Sequence, residues 1–437
     1  MLILTMWIVL VLAGLVLVFC RAMRVELAAS ANHVAEVQAD AVARGALRFV
    51  LSQMTGTNGQ YVPDDTTSFE AAPVGSGYFW ILSPSLGDDR NYAFGIRDEA
   101  SRINLNSAPT DMLLKLPGMT SELAASIVDW RDTDDQVSPG GAESEYYLLL
   151  EDAYYCKNGP FETVEELRLV KDGSSELLYG EDVNRNGILD PNEDDADESD
   201  PPDNRDGHLD RGLYDYLTVY TREPNQSSTG EARIDVNDAG AQGLSGLLRN
   251  VVNDDSYFRL MDRVRGGRPF RNILDFRNRV GLTSEQFSQI ADRLTTSRET
   301  TLTGLINVNT APREVLLCLP GLDESDVDAM LTMRSSSDTD LTTIAWVADA
   351  LSPEKAAGIG DVITTHSYQF SADILAVSGD GRAFRRYRTV VDASTNPPRV
   401  LYWKDVTHLG WPLDPEVLNE VRAASGRQGS MGTGGTS

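Results

Sequence analysis

The chain has 437 residues, 41% hydrophobic and 24% charged, a balance that fits two or three globular domains and excludes a disordered chain. A formal net charge of −28 argues against nucleic acid and anionic lipid surfaces as partners, because both would repel such a body, and it suits divalent cations. The three cysteines, Cys20, Cys156 and Cys318, lie far apart and read as small buried hydrophobes, and the four scattered histidines offer no zinc spacing.

In chain order, the first element is a long helix. No charge occurs from Met1 to Cys20, and about twenty apolar residues at 1.5 Å per residue cover the ~30 Å hydrocarbon core of a bilayer. No proline follows before Met54, and Val34, Val37, Ala41, Ala46, Val50 and Met54 keep an apolar periodicity. The spacing predicts one helix over residues 1–55, transmembrane over 1–20, continuing as an amphipathic rod against a folded domain. A cleaved secretory signal is the first alternative, but the basic amino-terminal region is missing and the apolar run is too long. A plain signal anchor, the second, explains the span without the amphipathic continuation.

The stretch NGQYVPDDTTSFEAAPVGSG reads as loop, and GYFWILSPS with NYAFGIRDEA reads as a hairpin about the LGDD turn. Near the carboxyl end, SYQFSADILAVSG, FRRYRTVVDAS and RVLYWKDV are three strands joined by Gly-Asp-Gly and Asn-Pro-Pro turns. The expected fold is α+β: the long helix and an antiparallel sheet over residues 56–103 and 365–412, split by an all-α insertion at 104–364. A helix and a disordered tail are expected over 413–437.

The insertion repeats. RINLNSAPTDMLLKLPGMTSELAASIVDWRD, RIDVNDAGAQGLSGLLRN and LINVNTAPREVLLCLPGLDESDVDAMLTMR open three units, and PFETVEELRLV, PFRNILDFRNRV and LTTIAWVADAL follow them. In the first unit Asn106 or Ser107 would cap a helix with Pro109 in its first turn. Leu113, Leu114 and Leu116 would give its apolar face, and Pro117-Gly118 would turn into a second helix carrying Leu123, Ile127 and Trp130. The LPGM and LPGL turns are helix-hairpin-helix signatures, which in DNA-binding proteins present backbone N–H groups to a phosphate. Here Glu122, Asp323, Glu324, Asp326 and Asp328 follow the hairpins, so a phosphate would meet carboxylates. Packing is therefore the expected role. Nucleophile elbows, phosphate loops and paired histidine sites are not found, and the expectation is a non-enzyme whose Trp80, Trp130, Trp346 and Trp403 serve the core.

The acidic stretch 181–213 carries the candidate ion sites. DVNRNGILDPNE matches an EF-type loop, with Asp182, Asn184 and Asn186 at positions one, three and five, Gly187 at six, the Ile188 carbonyl at seven, Asp190 at nine and Glu193 at twelve. Oxygens at alternate residues wrap a hard cation and the closing Glu supplies two, so the expected ion is calcium; a solvated acidic loop is the alternative. A second copy keeps Asn204, Asp206 and Asp210 but has Pro202 at position one and Leu213 at twelve, with Asp200 or Asp203 as substitutes. A third cluster is Asp132, Asp134 and Asp135 with Glu143 and Glu145.

The apolar start LILTMWIVLVLAGLVLVFCRAMRVE, with GIRDEASRINLNSAP, DWRDTDDQ, GGAESEYY, CKNGPFETVEELRLV and INVNTAPREVL in order, resembles the minor pseudopilin K family of type II secretion systems. Ordinary pilins carry Glu at mature position five, which this family lacks, and read from Met1 that position is Thr5. The family's short basic leader is not seen, and Arg21 and Arg24 taken alone would orient the helix oppositely to the family by the positive-inside rule. The resemblance implies an inner-membrane, single-pass protein with a periplasmic head at the pseudopilus tip, helping to initiate its assembly. The implied partners are the I and J minor pseudopilins. It also implies calcium in the α-domain and no nucleic acid; the alternative is a membrane-anchored helix-hairpin-helix DNA-binding protein of the competence kind.

Overall fold

Alanine-rich sequence without a breaker gives a single helix, Leu2–Met54, in the computed structural model, which describes residues 2–59, 66–83, 86–238, 240 and 242–431. Every residue from Leu2 to Ser30 is exposed, and the helix is long and apolar enough there to cross a membrane. Burial begins at Ala35 and continues through Ala39, Val42, Ala43, Ala46, Val50 and Met54. The expected stripe holds at Ala46, Val50 and Met54, whereas before it Val34, Val37 and Ala41 are exposed and Ala35, Ala39, Val42 and Ala43 are packed instead. Ala35, Ala39, Ala43 and Ala46 let the helix lie close to the sheet, with Val42 and Val50 packed beside them. Tyr387 donates to Asp40 at 2.8 Å and Arg385 pairs with Glu36 at 3.1 Å, fixing the rotation of the helix.

The sheet is antiparallel, in the order Ala72–Val74, Gly77–Leu82, Gln369–Val377, Phe384–Asp392 and Arg399–Asp405. Period-two alternation sorts its side chains. Phe79, Ile81, Ala372, Ile374 and Ala376 pack with the long helix, whereas Trp80, Leu82, Leu375 and Val377 pack with Leu413 and with Val421 of the helix Pro415–Met431. The tail expected beyond 431 lies outside the described residues. The stretch read as loop holds a short helix, Thr66–Phe69, and the edge strand Ala72–Val74, both too short for a periodic signal. The second arm of the hairpin bonds Gly77–Leu82 through Ser83 to Ala93 and Gly95 to Ile81, both at 2.9 Å, and then Arg97–Asp98 turns to pair with Phe370 and Ser371.

The insertion is mostly helical but not free of strand. Each repeat begins in a two-residue strand that pairs in parallel with another at its end: Ile103–Asn104 with Leu217–Thr218, Ile234–Asp235 with Leu294–Thr295, and Ile306–Asn307 with Ile363–Thr364. All three units share one apolar core, which contains Leu113, Leu116, Leu123, Ile127 and Trp130 with Cys156 and Cys318, while Leu114 is exposed. Gly118 and Gly321 turn the two hairpins at φ of +70° and +75°.

The repeated asparagines do not cap helices. Pro109 occupies the cap position without a side-chain bond, and the Asn106 amide instead spans to Phe161, donating to its carbonyl at 3.0 Å and accepting from its N–H at 2.7 Å. Asn237 makes the same two bonds to Phe270, at 2.9 and 2.8 Å. Asn309 donates to the Leu341 carbonyl at 2.8 Å and accepts from the Trp346 indole at 3.1 Å. An arginine seals each loop: Arg131 reaches the Ala108 carbonyl at 2.6 Å, Arg268 the Val236 carbonyl at 2.9 Å and Arg334 the Ala311 carbonyl at 2.7 Å. The opening motif and the second motif of each unit are therefore two halves of one clamp. Asn106→Ala is expected to cost about 1–3 kcal/mol by leaving both Phe161 backbone groups without their partner, whereas Ser107→Ala should stay within about 0.5 kcal/mol. Thermal unfolding of the detergent-solubilised chain checks both.

Candidate metal centre

The 182–193 loop folds around its own carboxylates. Asp182 accepts from the N–H groups of Asn186 and Gly187, both at 3.0 Å. Asn184 Oδ1 accepts from Asn186 at 2.9 Å, Asn186 Oδ1 from Ile188 at 2.8 Å, and Glu193 from the N–H of Asp190 at 3.0 Å. Asp190 receives the Asn184 and Asn186 amides at 2.6 and 3.0 Å. Gly187 makes the bend at φ +74°, a conformation that a side chain would oppose. All six residues expected as ligands thus sit in one compact turn.

Its carboxylates are crowded and buried, and the guanidiniums that touch the loop, Arg211 and Arg386, reach its backbone carbonyls. Burial, reinforced by Asp182 and Asp190, pushes the Glu193 carboxyl up to about 8, and burial with the nearby Asp215 pushes Asp182 up to about 6 despite Arg211. A hard cation is the group that would let these carboxylates ionise together, and the donor set of carboxylates, amide oxygens and a carbonyl fits calcium.

The second loop holds Asn204, Asp206 and Asp210 in the same relation, with Asn204 donating to Asp210 at 2.9 Å, Asp206 accepting from His208 at 2.9 Å, and all three exposed. Two residues outside it take the places emptied by Pro202 and Leu213. Asp194 accepts from Gly207 at 3.1 Å, as Asp182 does from Gly187, and Glu181 accepts from Asp210 at 2.9 Å, as Glu193 does from Asp190. The substitutes expected, Asp200 and Asp203, are not the ones used: Asp203 instead accepts from Asp195 and Ala196, at 3.1 and 2.9 Å. Loop spacing could not show Glu181 and Asp194, since both arrive from the neighbouring loop.

Of the third cluster, Asp132 and Glu143 come together, joined by Asp129, which the spacing did not single out; one carboxylate oxygen from each lies within 4.8 Å of the others. Asp134, Asp135 and Glu145 are exposed and outside this group. Asp134 accepts from Gln136 at 2.8 Å, and Asp135 from Asn158 at 2.9 Å. Asp129 is fully buried, and a Cβ on Gly141 would lie 2.1 Å from its Oδ2, so only glycine permits this approach. Glu143 is 1% exposed, and its oxygens have no partner of good hydrogen-bond geometry, the Cys156 thiol being the polar group beside them. The adjacent Cys156 thiol donates instead to the Asp129 carbonyl, at 3.7 Å. Burial first, then the charges of Asp129 and Asp132, raise the Glu143 pKa. A buried carboxylate beside two others is an arrangement that a cation ligand set fits.

That gives a test with opposite signs. Without divalent ions, Glu143→Gln should stabilise the chain, by roughly 1–3 kcal/mol, through removal of an uncompensated buried charge. In saturating calcium it should destabilise the chain instead. Thermal unfolding of wild type and variant, in chelator and in calcium, reads the change of sign.

The hairpins show no phosphate-binding chemistry to match. Asp323 caps the helix Glu324–Arg334, and the neighbouring Lys355 is held by Asp323 at 2.8 Å and by Asp326.

Residues 101–179 match the family model "Type II secretion system (T2SS), protein K". No curated protein matches the chain. Among solved structures the chain is similar to one in the GspK-GspI-GspJ complex of the enterotoxigenic Escherichia coli type 2 secretion system. The two share 12% identity over 84% of this chain and 95% of that one, at a TM-score of 0.42. The stretch matched by the type II secretion protein K model, residues 101–179, holds the first repeat and the Asp129, Asp132 and Glu143 group.

Proposed function

We propose that the chain is a minor pseudopilin of the K type, held in the inner membrane by its amino-terminal helix, with a calcium-binding periplasmic head at the tip of the secretion pseudopilus. The observation that carries this reading is one helix doing two jobs. Its first part is uniformly exposed and apolar, and its second part is packed into a sheet from which the family-matched domain grows. In a filament each such helix docks against subunits above and below. The insertion adds bulk that a subunit above would overlap, so the chain fits the end of a filament, where it helps to initiate assembly. The I and J minor pseudopilins are the partners this reading requires. Quantifying the chain in purified pseudopili tests it: a trace amount confined to filament ends is expected, and an amount comparable to the major subunit would overturn the tip assignment. Salt-dependent DNA binding in a gel shift would instead favour the competence-like alternative.

Calcium is proposed at Asp182, Asn184, Asn186, Asp190 and Glu193 with the Ile188 carbonyl, at Asn204, Asp206 and Asp210 with Glu181 and Asp194, and at Asp129, Asp132 and Glu143. Extracytoplasmic modules of this kind work at about 10⁻⁴ to 10⁻³ M. An ion that binds only the folded state at a hundred times its dissociation constant stabilises it by about 2.7 kcal/mol. Glu193→Gln keeps the shape of the closing ligand and removes its charge, so calorimetry on the full chain in detergent should lose one calcium. An unchanged titration would leave this loop as a solvated acidic turn.

A further inference from the structure

The 182–193 loop is gripped from behind by the sheet. Arg386, in the strand Phe384–Asp392, is fully buried and pairs with Asp373 of the adjacent strand, Nε to Oδ1 at 2.9 Å and Nη2 to Oδ2 at 2.7 Å. The rest of its guanidinium donates to the carbonyls of Asn184 and Arg185, at 2.6 and 2.7 Å. Two further bonds join the loop to the sheet's own connections: Leu189 N–H to the Asp89 carbonyl at 2.8 Å, and the Asn186 amide to the Pro412 carbonyl at 3.1 Å.

These contacts fall where they matter for an ion. An EF-type loop supplies side-chain oxygens from alternate residues, so the backbone between positions three and five sets the spacing of two ligands. That backbone is what Arg386 holds. We propose that Arg386 is a positioning residue for a divalent cation in the 182–193 loop, and that ion binding there tightens the seating of the insertion on the sheet. The proposal rests on the calcium reading above. Asp373 is part of the device, because it neutralises a guanidinium that would otherwise oppose a cation close by. Lysine cannot replace the arginine, since a single ammonium on a flexible stem lacks the planar fork that spans one carboxylate and two carbonyls.

The experiment uses the full chain in detergent micelles, with calcium titrated by calorimetry and amide hydrogen exchange followed in calcium and in chelator. In the wild type, calcium should slow exchange in residues 182–193 and also in 86–91 and 406–412, which lie on the sheet side of the contact. Arg386→Lys should weaken calcium binding at this loop by about ten- to hundredfold, the usual effect of losing a group that orients a ligand. Its melting temperature in chelator should fall, because buried acceptors lose their donors, and at a calcium level that saturates only the wild type its 86–91 and 406–412 segments should stay fast. Wild-type affinity in Arg386→Lys, or calcium protection confined to 182–193 in the wild type, would overturn the proposal. If Arg386→Lys does not fold, Asp373→Asn serves: its unpaired guanidinium should lower calcium affinity, and an unchanged affinity overturns the proposal. A wild-type chain that binds no calcium in this loop at millimolar concentration would sink the calcium reading itself, an outcome distinct from calcium binding without protection of the sheet.

Discussion

The architecture depends on a polar neck where the chain leaves the sheet and returns. Asp98 is buried there and accepts four hydrogen bonds, from the Ala100 N–H at 2.8 Å, Ser367 and Thr310 hydroxyls both at 2.5 Å, and the Asn307 amide at 3.1 Å. One carboxylate thereby joins the end of the first sheet segment, the third repeat and the start of the return strand. Burial raises its pKa to about 6 even with these donors. Beside it Glu99 and Arg102, both buried, pair at 3.1 Å, and Arg102 also reaches Ser371 at 3.1 Å. Removing one member of such a pair leaves a buried charge uncompensated, so the neck tolerates little change. Because Arg97–Asp98 pairs with Phe370–Ser371, exit and return are adjacent. The insertion closes on itself before the sheet resumes, and the sheet does not have to bridge a gap.

Within the insertion the same logic recurs on a smaller scale. A unit of short helices cannot bury its apolar side alone, and each of the three is closed by a parallel strand pair and an asparagine clamp before it adds its face to the common core. The sheet-side surface of the insertion is different in kind. Arg97 pairs with Asp215 at 2.7 Å, Lys404 with Glu165 at 3.3 Å, and Arg388 stacks on Tyr214 with its charged carbon 4.9 Å from the ring centre. The acidic insertion therefore meets the sheet through arginines and a lysine, where shape and charge must both fit.

Much of this was legible in the sequence because it is local. The 53-residue helix, the three carboxyl-terminal strands, the repeats and the compact 182–193 turn are each written in consecutive residues as a period or a fixed spacing. What escaped is what converges from afar. Asn106 looks like a helix cap because its partner is Phe161, 55 positions away. Asp129 looks like one more helical acid until Glu143 and Asp132 are seen beside it. The start of the packed face of the long helix was misplaced because Val34 and Val37 fit a periodicity, while the close contact there is made by Ala35 and Ala39. The two-residue strands carry no period at all.

The same distinction separates the two acidic loops. The first is complete in its own sequence, whereas the second borrows Glu181 and Asp194 from either side of the first. Asp89 then meets both, its carbonyl taking the Leu189 N–H at 2.8 Å and its carboxylate the Leu209 N–H at 3.2 Å. Leu189 and Leu209 hold corresponding positions in the two loops, so one turn of the sheet fixes them as a pair. Glu181 feels this arrangement: burial raises its pKa, and the charges of Asp210 and Asp203 raise it further. The two loops share a border in the chain, Glu181 adjoining Asp182 and Asp194 following Glu193. The residues that complete the second loop are therefore chain neighbours of those that open and close the first, and Asp89 seats both loops on one turn of the sheet.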